Sequence, residues 1–144
     1  MAQARTAGFT LIEVLVALAV VAIATTIAAA GYRGQLRRSH RAEAVQALLV
    51  AATEQEKFHL SHGTYGDRLD GRPGDEPPAI PVASTTPGRH YRLSVPLADA
   101  AAYRIVATAA DEAADPLCRE LSIDQAGRRA ATDARGADST GRCW

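Results

Sequence analysis

No proline precedes Pro73, and between Phe9 and Tyr32 Glu13 is the only charged residue. The first absence removes the strongest helix breaker from the front half of the chain. The second leaves an apolar run from Phe9 to Ala30, long enough to cross the hydrocarbon core of a bilayer, which takes about 20 residues. Net charge is missing too: 16 basic and 16 acidic residues cancel, which excludes a bulk attraction to polyanions. Lysine is nearly absent, with Lys57 alone among arginines. There is no nucleophile elbow, no phosphate loop, no zinc signature and no carboxylate pair with a base beside it. Those absences point away from an enzyme and call for no cofactor. With the apolar run set aside, a chain of 144 residues holds one modest core, not two.

What is present begins with Glu13. An ionised side chain inside a membrane span costs several kcal/mol unless it finds a partner. The nearest cation before it is Arg5, outside the apolar run on the far side of Gly8. A cut between Gly8 and Phe9 would create an α-amino group one helical turn from Glu13, supplying the missing charge. A competing reading is a secretory signal peptide with Val14 to Ile23 as its core and Ala28-Ala29-Ala30 as an A-x-A cleavage site. The acidic Glu13 at the edge of that core, with one basic residue before it, speaks against it.

Gly8-Phe9-Thr10-Leu11-Ile12-Glu13, followed by an unbroken apolar helix, resembles the class III signal of type IV prepilins and their pseudopilin relatives. The resemblance implies that a membrane prepilin peptidase removes Met1 to Gly8 and that Phe9 is then N-methylated. It also implies that Glu13 pairs with the Phe9 amine of a neighbouring subunit during filament assembly. Glycine at the cut leaves the backbone accessible. The expected organisation is a leader over 1–8, a transmembrane and assembly helix over 9–32 and a soluble domain over 33–144. The expected location is a single pass through the inner membrane before assembly and an extracellular pilus afterwards, the domain being periplasmic or extracellular. Two positions depart from the family pattern: Ala30 stands where many type IV pilins carry proline, and Ala7 where a basic residue often precedes the glycine. Export places Cys118 and Cys143 in an oxidising compartment, so a single disulfide is expected, worth about 3 kcal/mol in the chain-entropy model.

The helix is expected to continue past Arg33, Arg37, Arg38 and Arg41, a cluster that does not follow a simple positive-inside rule. Val45, Leu48, Leu49 and Ala52 recur at helical spacing as the stripe that packs on a domain. Gly63 is positioned to stop the helix. From Asp67 to Arg89, prolines and glycines resist helix and central strand alike, which reads as an excursion over the surface. Four short strands follow: 91–95 and 117–123 with apolar and polar positions in alternation, 103–109 with Tyr103, Ile105 and an apolar run through Ala107, and 128–131 after the turn at Asp124 to Gly127. The expected fold class is α+β: a long N-terminal helix packed on a small antiparallel sheet of about four strands, the pilin fold.

The tail from Asp115-Pro116-Leu117-Cys118 through Asp124-Gln125-Ala126-Gly127 to Cys143-Trp144 resembles the minor pilins that include DNA-uptake receptor pilins. That resemblance favours a minor pilin, which primes or joins a type IV pilus serving adhesion or twitching motility. Two alternatives stay open: a DNA-uptake receptor and a type II secretion pseudopilin. Expected partners are other pilins, prepilin peptidase, inner-membrane assembly machinery and inner-membrane lipid, with DNA as a candidate. For DNA the candidate residues are Arg128, Arg129, Arg135 and Arg142, since guanidinium groups on an exposed element neutralise phosphates. Glu120, Asp124, Asp133 and Asp138 are interleaved with them and weaken the local field. Trp144 is read either as a stacking platform for a base or as packing against the disulfide. His59 and His62 are spaced i, i+3 but lack the third ligand that zinc requires, while His40 and His90 read as isolated. The acidic pairs Asp75-Glu76 and Asp111-Glu112 lack the patterned spacing of a calcium loop. No metal is therefore expected.

Overall fold

The computed structural model describes residues 10–111 and 113–144, those of 27–31 by their backbone alone. Arg5, Ala7, the expected Gly8-Phe9 processing site, the Ala30 side chain and Glu112 lie outside the described residues. The chain divides into two compact units, one ending at Leu36 and the other running from Arg37 to Trp144.

The first unit is helical. Helix α1 spans Leu11–His62 with Glu13 in its first turn, where the helix dipole favours a carboxylate. Its large apolar side chains from Leu11 to Ile23 are all open, at least 47% exposed. Thr25 and Thr26 donate their hydroxyls to the carbonyls of Ala22 and Ile23, so their polar atoms are satisfied within the helix. Among the described residues no helix is long and apolar enough to cross a membrane.

In the second unit α1 buries Ala44, Leu48, Ala51 and Gln55 completely. That stripe is rotated from the one expected: Leu49 is 39% exposed, and Val45 and Ala52 are half-buried. Gln55 is tolerated because its amide exchanges two hydrogen bonds with the backbone of Gly66, at 2.6 and 2.8 Å. Gly63 ends the helix at φ +70°, and its N–H donates to His59 O at 2.8 Å in a left-handed cap.

The sheet is antiparallel with strands in chain order: β1 (Tyr91–Ala98), β2 (Tyr103–Ala109), β3 (Glu120–Asp124) and β4 (Arg129–Thr132). Tyr91, Leu93, Tyr103, Ile105, Ala107, Leu121, Ile123 and Ala131 form the buried face. β1 runs past the expected end at Val95, because a register shift between Ser94 and Leu97 absorbs Pro96 at the edge of the sheet, where proline is allowed. β3 starts at Glu120 rather than Leu117, since the chain is turning there, with Cys118 N–H donating to Asp115 O. A short helix α2 (Thr140–Cys143) closes the chain. Cys143 joins Cys118 in a disulfide with a Cα–Cα distance of 5.8 Å.

The segment from 67 to 89 is more than a surface excursion. Ile80 is fully buried, Thr86 is 1% exposed and Val82 is 7% exposed. Backbone pairs join Asp70 to Val82 and Gly71 to Ile80, and the Asp70 carboxylate accepts from Ser84 N–H at 2.9 Å. Further along, Ser84 O accepts from Leu93 N–H, so the loop covers part of the free edge of β1.

A buried ionic contact ties α1 to the sheet and to the disulfide. Arg41 donates from Nε and Nη2 to the Asp115 carboxylate, with Nη2 to Oδ1 at 2.7 Å. The Tyr91 hydroxyl reaches Asp115 at 3.2 Å and the Cys118 carbonyl at 3.0 Å. Burial raises the Tyr91 hydroxyl well above its ordinary pKa, and the neighbouring carboxylate adds to that. For Asp115 burial pushes upward, but the Arg41 hydrogen bonds and charge outweigh it and hold the carboxyl below 3.8.

Arg41→Ala strands the Asp115 carboxylate and is expected to cost about 3–5 kcal/mol, read as a lowered denaturant midpoint. Because the folded-state pKa of Asp115 lies below that of the unfolded chain, the unfolded state binds the extra proton between the two values. The pair's contribution is therefore complete above about pH 4 and is lost as pH falls further. Thermal unfolding across that range should show a steeper acid decline in wild type than in Asp115→Asn.

Candidate nucleic-acid interface

Strands β3 and β4 meet in a tight turn built on Asp124. Its carboxylate accepts from the N–H groups of Ala126 at 2.9 Å and Arg128 at 3.0 Å, and Gly127 supplies the required φ of +70°. The turn presents Arg128 and Arg129 to solvent. Arg128 Nε also donates to Asp124 Oδ2 at 2.7 Å, with the arginine side chain 76% exposed. Burial would raise the Asp124 carboxyl, but Arg128 and the turn N–H groups outweigh it and depress its pKa. So exposed an ion pair contributes at most about 1 kcal/mol, and a phosphate can replace its carboxylate.

Strand register adds a third arginine. Arg104 of β2 stands opposite Asp124 of β3 and donates to the Ser122 hydroxyl at 3.2 Å. Arg104, Ser122, Asp124, Arg128, Arg129 and Ala130 line an open groove of ≈ 360 Å³ on the sheet. Its floor is flat because Ser122 and Ala130, which pair across β3 and β4, carry short side chains. Glu120 borders the adjoining hollow, so acids remain near the cations.

Arg135 and Arg142 do not join this groove's lining. Arg135 sits in the turn that follows β4, organised by the Asp133 carboxylate, and Arg142 rides on α2. Arg119, at the entrance to β3, donates to Ala109 O at 2.8 Å. Trp144 donates its indole N–H to Ala130 O at 2.9 Å and packs on the core cluster that includes both cysteines. The Arg129 guanidinium lies 5.2 Å from the ring centroid, a cation–π contact. The ring is a structural anchor held between core and arginine, and this favours packing over base stacking.

Among the described residues no group of three or more metal-ligating side chains forms. His59 stacks on Tyr65 and donates to Ala100 O at 3.1 Å, whereas His62 stacks on Phe58. His40 and His90 are not isolated: their rings stack with centroids 3.4 Å apart. Strand alternation points Arg104 outward, but its neighbours depend on the β2–β3 register, which no local motif in the sequence specifies. Asp75 is occupied in its own loop by Arg72 N–H at 2.8 Å.

A family model described as "Type IV minor pilin ComP, DNA uptake sequence receptor" matches residues 30–122. A second, described as "Prokaryotic N-terminal methylation motif", matches residues 3–29. Among solved structures the chain is similar to a type IV pilin from Shewanella oneidensis, at 24% identity and TM-score 0.46, covering 65% of this chain and 89% of that one. None of the curated proteins matches. With more than half of its length matched by the first model, the chain belongs to the ComP family of type IV minor pilins.

Proposed function

We propose that this minor pilin is a DNA-uptake receptor, and that duplex DNA lies across the groove formed by Arg104, Arg128 and Arg129. The observation that carries this reading is the convergence of three exposed arginines from two separate parts of the sheet on one open, flat-floored surface. The family description names a DNA uptake sequence receptor. Its matched span ends at 122, so the arginines of the β3–β4 turn rest on geometry alone. Binding is electrostatic and weak, since phosphate contacts position a duplex without reading its sequence. The protein's role is structural and binding rather than catalytic.

In the same reading the chain is organised as a leader over 1–8, an anchoring helix over 9–32 and an exported domain over 33–144. Prepilin peptidase cuts between Gly8 and Phe9 and Phe9 is N-methylated. The mature subunit waits as a single-pass protein among inner-membrane lipids until the assembly machinery passes it to other pilins. Glu13, in the first turn of α1, then pairs with a neighbour's Phe9 amine and sets axial register. The open apolar surface from Leu11 to Ile23 gives such a helix bundle something to bury.

Replacing Arg104 and Arg128 with glutamine is expected to weaken duplex binding by the full-length protein in detergent. The slope of log affinity against log salt should fall by about 2, from roughly 0.9 per lost phosphate contact. Arg135→Gln should change that slope little. A wild-type protein that shows no DNA-dependent anisotropy change at low salt contradicts the receptor reading. For assembly, Glu13→Ala should insert in membranes as wild type does yet be depleted from sheared pili, as measured by immunoblot. Mass spectrometry of the mature subunit should find methylated Phe9 as its first residue.

A further inference from the structure

The groove and the Glu13 register leave one charged feature unused. Residues 14–42 contain Arg33, Arg37, Arg38 and Arg41 and no carboxylate, in a chain whose basic and acidic residues balance overall. Arg41 is held by Asp115. Arg37 and Arg38, the first two residues of the folded unit, are exposed. Among the described residues neither takes part in an ion pair or a side-chain hydrogen bond, whereas Arg41, Lys57 and Arg128 each have a carboxylate.

We infer that Arg37 and Arg38 bind the phosphate headgroups of an anionic lipid surface while the subunit waits in the membrane. The inference rests on the single-pass anchoring proposed above. Charge complementarity selects the ligand: two exposed guanidinium groups that pair with no carboxylate among the described residues suit phosphate oxygens, to which arginine donates in a planar fork. Chain connectivity selects its source. Arg37 lies six positions after Gly31, where the apolar run has ended, about 9 Å along the chain at helical rise. The headgroup layer on each side of the hydrocarbon is about 5–7 Å deep, and a long arginine side chain reaches back toward it. Tyr32, 65% exposed, stands between run and arginines, the residue type that favours the bilayer interface. DNA is the less suitable occupant, because a second polyanion would have to approach a surface that is already negative.

The headgroups hold the subunit at a fixed depth, and filament assembly must break that contact. This gives the arginine cluster a role that the positive-inside rule does not. The attraction for each basic residue near an anionic surface corresponds to about five-fold in affinity.

The test uses the full-length protein and its Arg37→Gln/Arg38→Gln variant, in bilayers of phosphatidylcholine alone or mixed with phosphatidylglycerol. Glutamine keeps helix propensity. Carbonate extraction reads anchoring, and native mass spectrometry reads which lipids stay bound. Wild type is expected to retain phosphatidylglycerol over phosphatidylcholine several-fold and the variant to approach parity, with both proteins resisting carbonate equally. Equal lipid retention by wild type and variant, with anchoring intact, overturns the headgroup site alone. Extraction of wild type by carbonate overturns the anchoring reading and this inference with it. Loss of duplex binding by the variant at an unchanged lipid ratio assigns the arginines to DNA and likewise overturns it.

Discussion

The folded unit depends on one face of α1 sharing a buried core with a four-stranded sheet. Ala44, Leu48, Ala51 and Gln55 are the contact, and two of the four are alanines. The Arg41–Asp115 pair locks that packing from one side. From that lock the Tyr91 hydroxyl extends the network to Asp115 and to the carbonyl of Cys118. The disulfide then carries it to Cys143. Helix, first strand and closing segment are thereby fixed by one connected set of polar groups at the core. Such a network is strongly unfavourable if one member is lost, because a buried carboxylate is left without its cation.

That rigidity matters for the surface on the other side of the sheet. The arginines of the β3–β4 turn serve recognition only if the turn holds its shape, and Asp124 holds it with two backbone hydrogen bonds. The same carboxylate occupies Arg128. One acid thus organises the turn and, on the proposed reading, would compete with an incoming phosphate, keeping affinity modest and salt-sensitive. The Trp144 ring, tied to Ala130 O and covered by Arg129, braces the start of β4.

Much of the fold was legible because its signals are local. The helix end at His62–Gly63 follows from glycine's access to positive φ, and β2 follows from alternation between Tyr103 and Ala109. The minor pilin family was legible from Gly8 to Glu13 and from the Cys118 to Trp144 tail. What was not legible depends on contacts distant in sequence. The buried stripe turned out rotated because Gln55 is paid for by Gly66, eleven residues away. Ile80 is buried because a proline-rich loop folds back on itself. His40 and His90 stack although 50 positions apart in the chain. At the candidate site Arg128 and Arg129 were visible as a pair, but Arg104 joins them only through the β2–β3 register, and Arg135 is carried away by the turn after β4.

Arginine reactivity toward phenylglyoxal, read residue by residue by mass spectrometry with and without duplex DNA, tests the central claim most directly. Protection of Arg104 and Arg128, with Arg135 and Arg142 left reactive, is the expected result. Protection centred on Arg135 and Arg142, with Arg104 unchanged, would contradict the groove as the place where DNA is held.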